Sequence, residues 1–317
     1  MNEVNCTIVG TCVADILVRP VPLSSPFEAG KLLHVEPIEI TTGGIVCNTG
    51  IAMRRLGMEV AASSLVGNDQ FGDFIRSRLG AEGIETSPIA THRTLATSTT
   101  AVLIDSNGER SFAHHAGAPA ALDTTFSKQL APFLQTSRSL VIGYVGLLPA
   151  LEPSLADSLM SVRSTHQLIA VETGGNGGDL AHLTPAFPSI DVFVPSLEEA
   201  SQQTGFRDPR EILGCYRGLG ARGLIGVKLG VQGTVLSPTA DEILSIPCIP
   251  PTKPITDTTG AGDCFLAGLL TGLIRGMTAR EAGLLGAATA ACCVTGVGAT
   301  AGLCSFDETL AMLQKHL

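Results

Sequence analysis

Aromatic residues and clustered positive charge are what the sequence most lacks. Its 317 residues contain no Trp and only 4% aromatic residues, against 36 Gly. This composition favours helices packed closely on a sheet over a β-sandwich. The 20 Lys and Arg residues form no cluster, and 29 acidic residues bring the net charge to −9. Because nucleic-acid-binding proteins carry a basic patch, no nucleic-acid partner is expected.

Membrane and metal signals are also absent. No apolar run reaches the ~18 residues that a membrane span needs, and no basic segment with an apolar stretch behind it precedes the first predicted strand. We therefore expect a cytoplasmic protein without a membrane partner. The nine Cys residues include no Cys-x-x-Cys pair, so zinc-ligand spacing is missing. Buried free thiols in a reducing compartment are the expected state.

Two common nucleotide-binding motifs are missing as well. No G-x-x-x-x-G-K-S/T sequence occurs, which excludes a P-loop as the route to ATP. After the first predicted strand, Gly10 stands alone where a Rossmann dinucleotide site needs G-x-G-x-x-G. Any phosphate site must therefore be built from another loop.

The stretch Asp-Thr-Thr-Gly-Ala-Gly-Asp at residues 257–263 is a candidate for that loop. An apolar run follows at 265–270, which predicts a loop that opens into a helix. The first amides of a helix lack partners and, with the positive end of the helix dipole, bind anions. Asp263 would repel a phosphate there unless it acts as general base for an attacking hydroxyl. The alternative is a Gly-rich connector in which Asp263 merely favours the helix dipole.

The order of the predicted elements indicates an α/β fold. Buried strands alternate with helices, which is typical of parallel crossovers. We predict one domain over residues 1–317, a three-layer sandwich with a mostly parallel central sheet flanked by helices. The predicted core strands are residues 4–10, 60–66, 139–143, 167–171, 191–194 and 224–230.

A hairpin interrupts this pattern. An Asn-Gly turn, the strongest short hairpin signal, joins two predicted strands within residues 97–116. Together with residues 15–41, this hairpin is predicted to form a small β-sheet lid. The alternating apolar residues of 32–41 predict one strand of that lid. Alternation also places His114 and His115 on opposite faces of the last strand, so that one of them faces the cleft.

Several polar and glycine residues lie where a ligand would bind. Asp15 is predicted just past a strand end, where ligands of open α/β sheets bind, and it could accept hydrogen bonds from a polyol. Gly43 and Gly44 allow close backbone approach. Asn48, on the first turn of the next predicted helix, offers both a donor and an acceptor. Taken singly, these residues also fit a solvated loop carboxylate and an ordinary helix start.

Together these stretches resemble the ribokinase-like (PfkB) carbohydrate kinases over nearly the whole chain. Residues 257–263 resemble the C-terminal signature of that family, whereas Gly43-Gly44 with Asn48, then Leu56-Gly57, resemble its N-terminal signature. Further matches are the family's substrate Asp at Asp15, its nucleotide-side strand and turn at Leu229, Gly230 and Gly233, and its adenine-side segment at Gly298 and Ala299.

The resemblance implies a ribokinase-like fold and ATP-dependent phosphorylation of a sugar hydroxyl. It implies Asp263 as general base, with an anion hole from the amides of Gly260, Ala261, Gly262 and Asp263. The implied sugar-binding residues are Asp15, Gly43, Gly44 and Asn48, with side contacts from His115, Tyr144, Glu172 and Asn176. The implied nucleotide-binding residues are Lys228, Gly230, Gly233, Gly298 and Ala299.

The resemblance also implies Mg²⁺ bound to the phosphates of ATP. The family's Asn-x-x-Glu pair corresponds to Ser196 and Glu199 here. Glu199 therefore matches, whereas Ser196 would act through a bound water. A monovalent cation such as K⁺ beside the anion hole is compatible with the loop at Asp257. The lid is a candidate surface for a homodimer.

The prediction of the phosphoryl acceptor depends on fewer residues than the prediction of kinase activity. Family members that act on phosphosugars tend to carry Lys inside the first glycine motif, where Ile45 stands here. We therefore favour a non-phosphorylated sugar or sugar acid, as for a ribokinase, fructokinase or ketodeoxygluconate kinase. A nucleoside kinase is the alternative, with Phe112 or Tyr144 stacking on the base. A non-catalytic binding or regulatory protein of the family is a third hypothesis, against which the intact loop at Asp263 argues.

Overall fold

The structure is a computed structural model that describes residues 4–24, 30–134, 137–163, 168–175 and 177–315. The β-strands of this part of the chain are β1 (Cys6–Gly10), β2 (Val13–Val18), β3 (Glu39–Gly43), β4 (Val60–Ser63), β5 (Leu65–Val66), β6 (Ala90–Thr91), β7 (Thr99–Ile104), β8 (Arg110–His115), β9 (Ser139–Gly143), β10 (Leu168–Glu172), β11 (Val192–Phe193), β12 (Leu224–Lys228), β13 (Thr234–Ser237) and β14 (Leu244–Ile246). Its α-helices are α1 (Ile45–Arg55), α2 (Gln70–Ala81), α3 (Phe126–Leu134), α4 (Leu155–Val162), α5 (Leu180–Leu183), α6 (Leu197–Thr204), α7 (Pro209–Gly218), α8 (Ala261–Ile274), α9 (Ala279–Cys293) and α10 (Phe306–Gln314). Across these ranges, no helix is both long enough and apolar enough to cross a lipid bilayer.

A mostly parallel sheet runs through the centre of the molecule. Its strand order over the described residues is β14-β13-β12-β11-β10-β9-β1-β4. The pairs from β4 to β12 are parallel, and β13 and β14 are added antiparallel at one edge. Strands β1 and β9 are buried along their whole length, as expected for a parallel sheet covered on both faces. The predicted three-layer α/β architecture is confirmed.

Side chains that alternate along the central strands pack against two separate helical layers, one on each face of the sheet. On β9, Val141 joins an apolar cluster with residues of α1, α8 and α9. Its neighbours Leu140 and Ile142 join another cluster with residues of α3, α4 and α7. Successive side chains of a strand point to opposite faces, so one short apolar strand contributes to both layers. Because helices cover both faces of the sheet, loops and helix starts converge at the carboxyl ends of the strands.

A second sheet, here called the lid sheet, has the order β3-β2-β7-β8. The predicted hairpin forms its β7–β8 edge. Asp15 lies within β2 and not in a loop, because the chain continues extended beyond β1 and enters this sheet. The predicted strand 32–41 begins only at Glu39, since Leu17–Glu39 is the first pair of the β2–β3 ladder; Leu32 is 81% exposed. Movement of this sheet as a lid stays a prediction.

Helices α8 and α9 approach each other closely at glycines. A Cβ atom on Gly268 of α8 would lie 2.5 Å from Thr289 Oγ1 and 2.7 Å from Gly286 Cα, both in α9. Both distances are well inside van der Waals contact, so the helices meet at this spacing only because position 268 has no side chain. The packing matters for the site because α8 begins there.

We expect Gly268→Ala to lower the free energy of unfolding by about 1–3 kcal/mol, since overpacking forces the helices apart. Gly214→Ala is the matched control, because that exposed α7 glycine has open space around a new Cβ. The control should be stabilising by about 0.5–1 kcal/mol through its helix propensity. Urea unfolding followed by circular dichroism measures both. Equal stability of the two variants would contradict the packing argument.

Candidate functional site

The polar residues of the site gather at the carboxyl ends of the central strands, where open α/β sheets bind ligands. Tyr144 directly follows β9, and Glu172 and Lys228 are the last residues of β10 and β12. Helix α8 begins beside them with Asp263 in its first turn. Asn48 reaches the same place from α1. Residues from five elements, β9, β10, β12, α1 and α8, therefore lie at or near one carboxylate.

Asp263 is held by two hydrogen-bond donors from distant parts of the chain. It is 4% exposed. Asn48 Nδ2 donates to Asp263 Oδ2 at 2.8 Å, and the Tyr144 hydroxyl donates to the same oxygen at 2.8 Å. Gly260, the N-cap of α8, has φ 74° and lies against Ala299, where a Cβ would collide. The left-handed glycine thus lets the loop turn into the helix while Asp263 points at its partners.

The surroundings of Asp263 raise its affinity for a proton. Burial raises the pKa of Asp263, while hydrogen bonds from Asn48 and Tyr144 and the charge of Lys228 act against that rise. Burial, followed by the charge of Asp263, raises the pKa of Tyr144 well above its usual value, so the phenol stays protonated and donates. Tyr144 has φ 60°, a conformation that costs a non-glycine residue about 1–3 kcal/mol and is typical of functional sites.

The first of two cavities lies between the lid sheet and Asn48, with a volume of about 220 Å³. Register places two side-chain rows on the sheet face that lines it. The polar row consists of Thr41, Asp15, Thr100 and His114. The apolar row consists of Leu17, Val102 and Phe112. Among the described residues, buried polar atoms without a protein partner at this cavity include Asn48 Oδ1, Thr11 Oγ1 and Thr42 Oγ1. Such atoms favour a ligand rich in hydroxyl groups.

Asp15 lies in the polar row with its carboxylate over Gly43, where a side chain would collide. Burial raises the pKa of Asp15 to about 6, although a hydrogen bond from Thr100 lowers it. Gly44 lines the cavity beside them. The structure therefore brings together five of the predicted sugar-side residues, which all line this cavity: Asp15, Gly43, Gly44, Asn48 and Tyr144.

The histidine of this cavity is His114 and not the predicted His115. Residues Arg110, Phe112 and His114 alternate on the cavity face of β8, so His115 lies on the opposite, exposed face. Thr100 Oγ1 and His114 Nδ1 are 3.0 Å apart. Alternation predicted one inward histidine but could not say which, because the facing depends on how β8 pairs with β7.

A second cavity of about 330 Å³ lies on the other side of the α8 N-terminus. The predicted nucleotide-side residues Lys228, Gly230 and Gly233 line it. Its apolar lining comes mainly from Val231, Ile249, Ile255, Phe265, Ala287 and Val294. Gly298 and Ala299, which were predicted on the nucleotide side, line the first cavity instead, beside Gly260. The first turn of α8 thus separates a cavity lined by both polar and apolar side chains from one that is almost wholly apolar.

A buried ion pair adjoins this junction. Lys228 Nζ lies 2.5 Å from Glu172 Oε1, and both side chains are largely buried. Burial raises the pKa of Glu172 to about 7, against the lowering effect of the Lys228 charge. Burial lowers the pKa of Lys228, but the charges of Glu172 and Glu199 outweigh it and the net pKa is raised. Glu172 therefore pairs with Lys228 in this structure; Asn176 lies outside the described residues.

The predicted metal residues form a helix cap. Ser196 is the N-cap of α6, and its backbone amide and hydroxyl donate to Glu199 Oε2. Nearby, Glu172 Oε2 is buried and has no protein partner among the described residues. Carboxylate oxygens are ligands that Mg²⁺ prefers, so Glu199 and Glu172 fit that ion. In the described chain no cluster of three or more His, Cys, Asp or Glu side chains forms a ready-made metal site.

Asp257 is occupied by protein donors. Its Oδ1 accepts the amide of Thr259 and pairs with Arg110 at 2.6 Å, and its Oδ2 accepts the amide of Gly298. The side chain expected beside a monovalent cation therefore binds an arginine of the lid sheet. The sequence analysis did not predict Arg110 as a site residue. Its spacing of two and four residues from Phe112 and His114 on one strand could have indicated that it shares their face of the sheet.

Comparison with known proteins shows which family the sequence matches. The sequence matches the pfkB family carbohydrate kinase profile over residues 5–305. It is 26% identical over 303 residues to the 2-dehydro-3-deoxygluconokinase of Bacillus subtilis, which covers 91% of both chains. It is 26% identical over 322 aligned residues to the ribokinase of Haemophilus influenzae, with 97% of this chain and 98% of that one covered.

A solved ribokinase structure shares the fold. The structure of Arabidopsis thaliana ribokinase complexed with ribose and ATP has a TM-score of 0.84 to this one, at 22% sequence identity, with 98% and 99% of the two chains covered. Since the family profile spans nearly the whole sequence and the enzyme relatives match over 91% and 98% of their own lengths, the chain belongs to the pfkB family of carbohydrate kinases and is a phosphotransferase of the sugar and nucleoside kinase class.

Proposed function

We propose that this protein transfers the γ-phosphoryl group of MgATP to a hydroxyl of a non-phosphorylated sugar or sugar acid, with Asp263 as general base. The observation that carries the proposal is the position of Asp263. It is a buried carboxylate in the first turn of α8, a helix start that lies between a cavity of mixed lining and an apolar one, with Asn48 and Tyr144 bonded to it.

The chemistry follows from that position. An acceptor hydroxyl in the first cavity gives its proton to Asp263 as its oxygen bonds to the γ-phosphorus and ADP leaves. A pKa raised by burial makes Asp263 a better proton acceptor than an exposed carboxylate. The amides from Gly260 to Asp263, at the positive end of the α8 dipole, would hold the charge on the transferred group. Tyr144 and Asn48 keep the carboxylate aimed at the hydroxyl.

The nucleotide is assigned to the apolar cavity. Its aliphatic walls suit the base, and Lys228, which lies against Gly262 at the helix start, suits the phosphates. Mg²⁺ would be held by Glu199 and Glu172, with Ser196 reached through water, and would offset phosphate charge. A monovalent cation beside the anion hole is kept as a proposal that would need ligands other than the occupied Asp257 side chain. Use of MgATP is also the reason to propose a cytoplasmic location.

Charge at the first cavity supports an acceptor without a phosphate. Of its described lining residues, Arg110 carries the one permanent positive charge, and that charge is paired with Asp257. Burial, and then the charge of His115, lowers the pKa of His114, so this imidazole is neutral near pH 7. A phosphosugar would therefore meet Asp15 without a free cation to balance it.

A nucleoside is the second candidate acceptor. The apolar row of the lid sheet, Leu17, Val102 and Phe112, adjoins the polar row that faces the hydroxyl groups. Phe112 is 63% exposed, so a flat base could cover it.

A homodimer through the outer face of the lid sheet, where Ile40 is exposed, is also proposed. Sedimentation velocity that returns only monomer would exclude this homodimer.

A coupled ADP-release assay with MgATP and a panel of D-ribose, D-fructose, 2-dehydro-3-deoxygluconate and adenosine tests the acceptor and the base together. We expect one acceptor to be turned over and Asp263→Asn to lose about 10²-fold or more of kcat, since the amide cannot take the proton. ATP should still bind the variant. Asp73→Asn, an exposed first-turn carboxylate of α2, is the control and should match the wild type. Full activity of Asp263→Asn would rule out the base.

The pH dependence of acceptor binding tests Asp15. Above a pKa of about 6 its carboxylate is charged and accepts hydrogen bonds, and as the pH falls through that value it gains a proton. We expect the KM for the acceptor to rise about tenfold between about pH 7.5 and about pH 5. Asp15→Asn should have a high KM at both values, without that slope. A flat wild-type KM would show that Asp15 does not bind the acceptor.

A further inference from the structure

We propose that Arg110 is a positioning residue that fastens the lid sheet to the loop that opens α8, so that closure over the acceptor and alignment of the anion site are one event. The inference rests on the proposed function, since it concerns the same site. Arg110 is the first residue of β8, an edge strand of the lid sheet. Its guanidinium nevertheless ends at residues 257–259, directly before the first turn of α8.

The contact is double and shielded from solvent. Arg110 Nη2 lies 2.6 Å from Asp257 Oδ1, and Arg110 Nη1 donates to Thr259 Oγ1. The Arg110 and Asp257 side chains are 17% and 5% exposed. An ion pair in such surroundings is screened far less than a surface pair, and a guanidinium that bonds through two nitrogens fixes direction as well as distance.

Asp257 connects Arg110 to the backbone of the loop before α8. It accepts the amide of Thr259 at 2.7 Å and the amide of Gly298 at 2.7 Å. Burial acts to raise the pKa of Asp257, but these amides and Arg110 outweigh it and the pKa is lowered, so the carboxylate stays charged. Ala299, next to Gly298, lies against Gly260, the N-cap of α8. A continuous chain of contacts thus runs from β8 to the amides at the helix start.

Opening of the lid sheet would break this chain of contacts. Withdrawal of β8 would leave Asp257 buried without its cation, an arrangement that proteins avoid, and would release Thr259. Arg110 also lines the first cavity, and its Nε is buried without a partner among the described residues. That N–H is therefore available to an oxygen of the acceptor or of the phosphoryl group, which would draw the lid sheet and the loop together when the site is filled.

Hydrogen exchange on the protein without ligands tests the anchor independently of any substrate. In Arg110→Met we expect the amides of Thr259 and Gly298 to exchange about tenfold faster than in the wild type, since their acceptor Asp257 loses its anchor. Arg19→Met is the matched control. Arg19 also forms ion pairs within the lid region, with Glu36 and Glu39, but does not line the first cavity. Unchanged exchange in Arg110→Met would overturn the proposal.

Turnover of the acceptor identified by the panel gives the second readout. Arg110→Met should lose about 10²-fold in kcat, with the KM for ATP changed by less than about twofold, because alignment and not nucleotide binding is impaired. Arg110→Lys keeps a cation for Asp257 without the double contact, and should fold normally with an intermediate kcat. Asp257→Asn combined with Arg110→Met should be no slower than Arg110→Met alone, since both remove one unit.

The outcomes separate this inference from the proposed function. If Asp263→Asn is inactive while Arg110→Met matches Arg19→Met in kcat, the anchor is wrong and the proposed base stands. If Asp263→Asn is active, the proposed base fails, and the exchange experiment still decides whether Arg110 holds the loop. Additive losses in the double variant would likewise contradict a shared role for Arg110 and Asp257.

Discussion

The burial of one carboxylate at a helix start organises this molecule. A charged Asp263 inside the protein is costly, and the structure offsets that cost with two hydrogen bonds and the positive end of the α8 dipole. Each donor constrains a different element. Asn48 fixes the start of α1, and Tyr144 must adopt a left-handed backbone directly after β9. The close packing of α8 on α9 then sets where the carboxylate stands relative to the central sheet.

The same helix start lies between the two cavities that we assign to the acceptor and to ATP. The first cavity lies under the lid sheet, whose register places hydroxyl, carboxylate and imidazole groups in one row and apolar side chains in the next. The apolar cavity lies toward β12 and α9, with Lys228 in its lining. Phosphoryl transfer needs the two substrates to meet at one point, and in the proposed reaction that point is the first turn of α8.

Local sequence predicted the parts of the site that sit within one continuous stretch. The loop at 257–263 and the glycine pair before Asn48 are dictated by backbone geometry and helix starts, which are local properties. Contacts between strands far apart in the sequence were not predictable in the same way. The choice of His114 over His115, the pair of Arg110 with Asp257, and the pair of Glu172 with Lys228 depend on strand register and on packing of separate elements.

The sequence by itself determined the α/β architecture, the parallel core and the glycine-rich loop that opens into a helix at Asp263. Apolar periodicity and glycine placement act over a few residues, so they can be read from the sequence alone. Only the tertiary structure decided which groups share a cavity. It placed Gly298 and Ala299 beside Gly260, turned His115 outward, and brought an arginine of the lid sheet to Asp257. The physical reason is that side-chain direction on a strand and distance between strands are set by pairing across the whole chain.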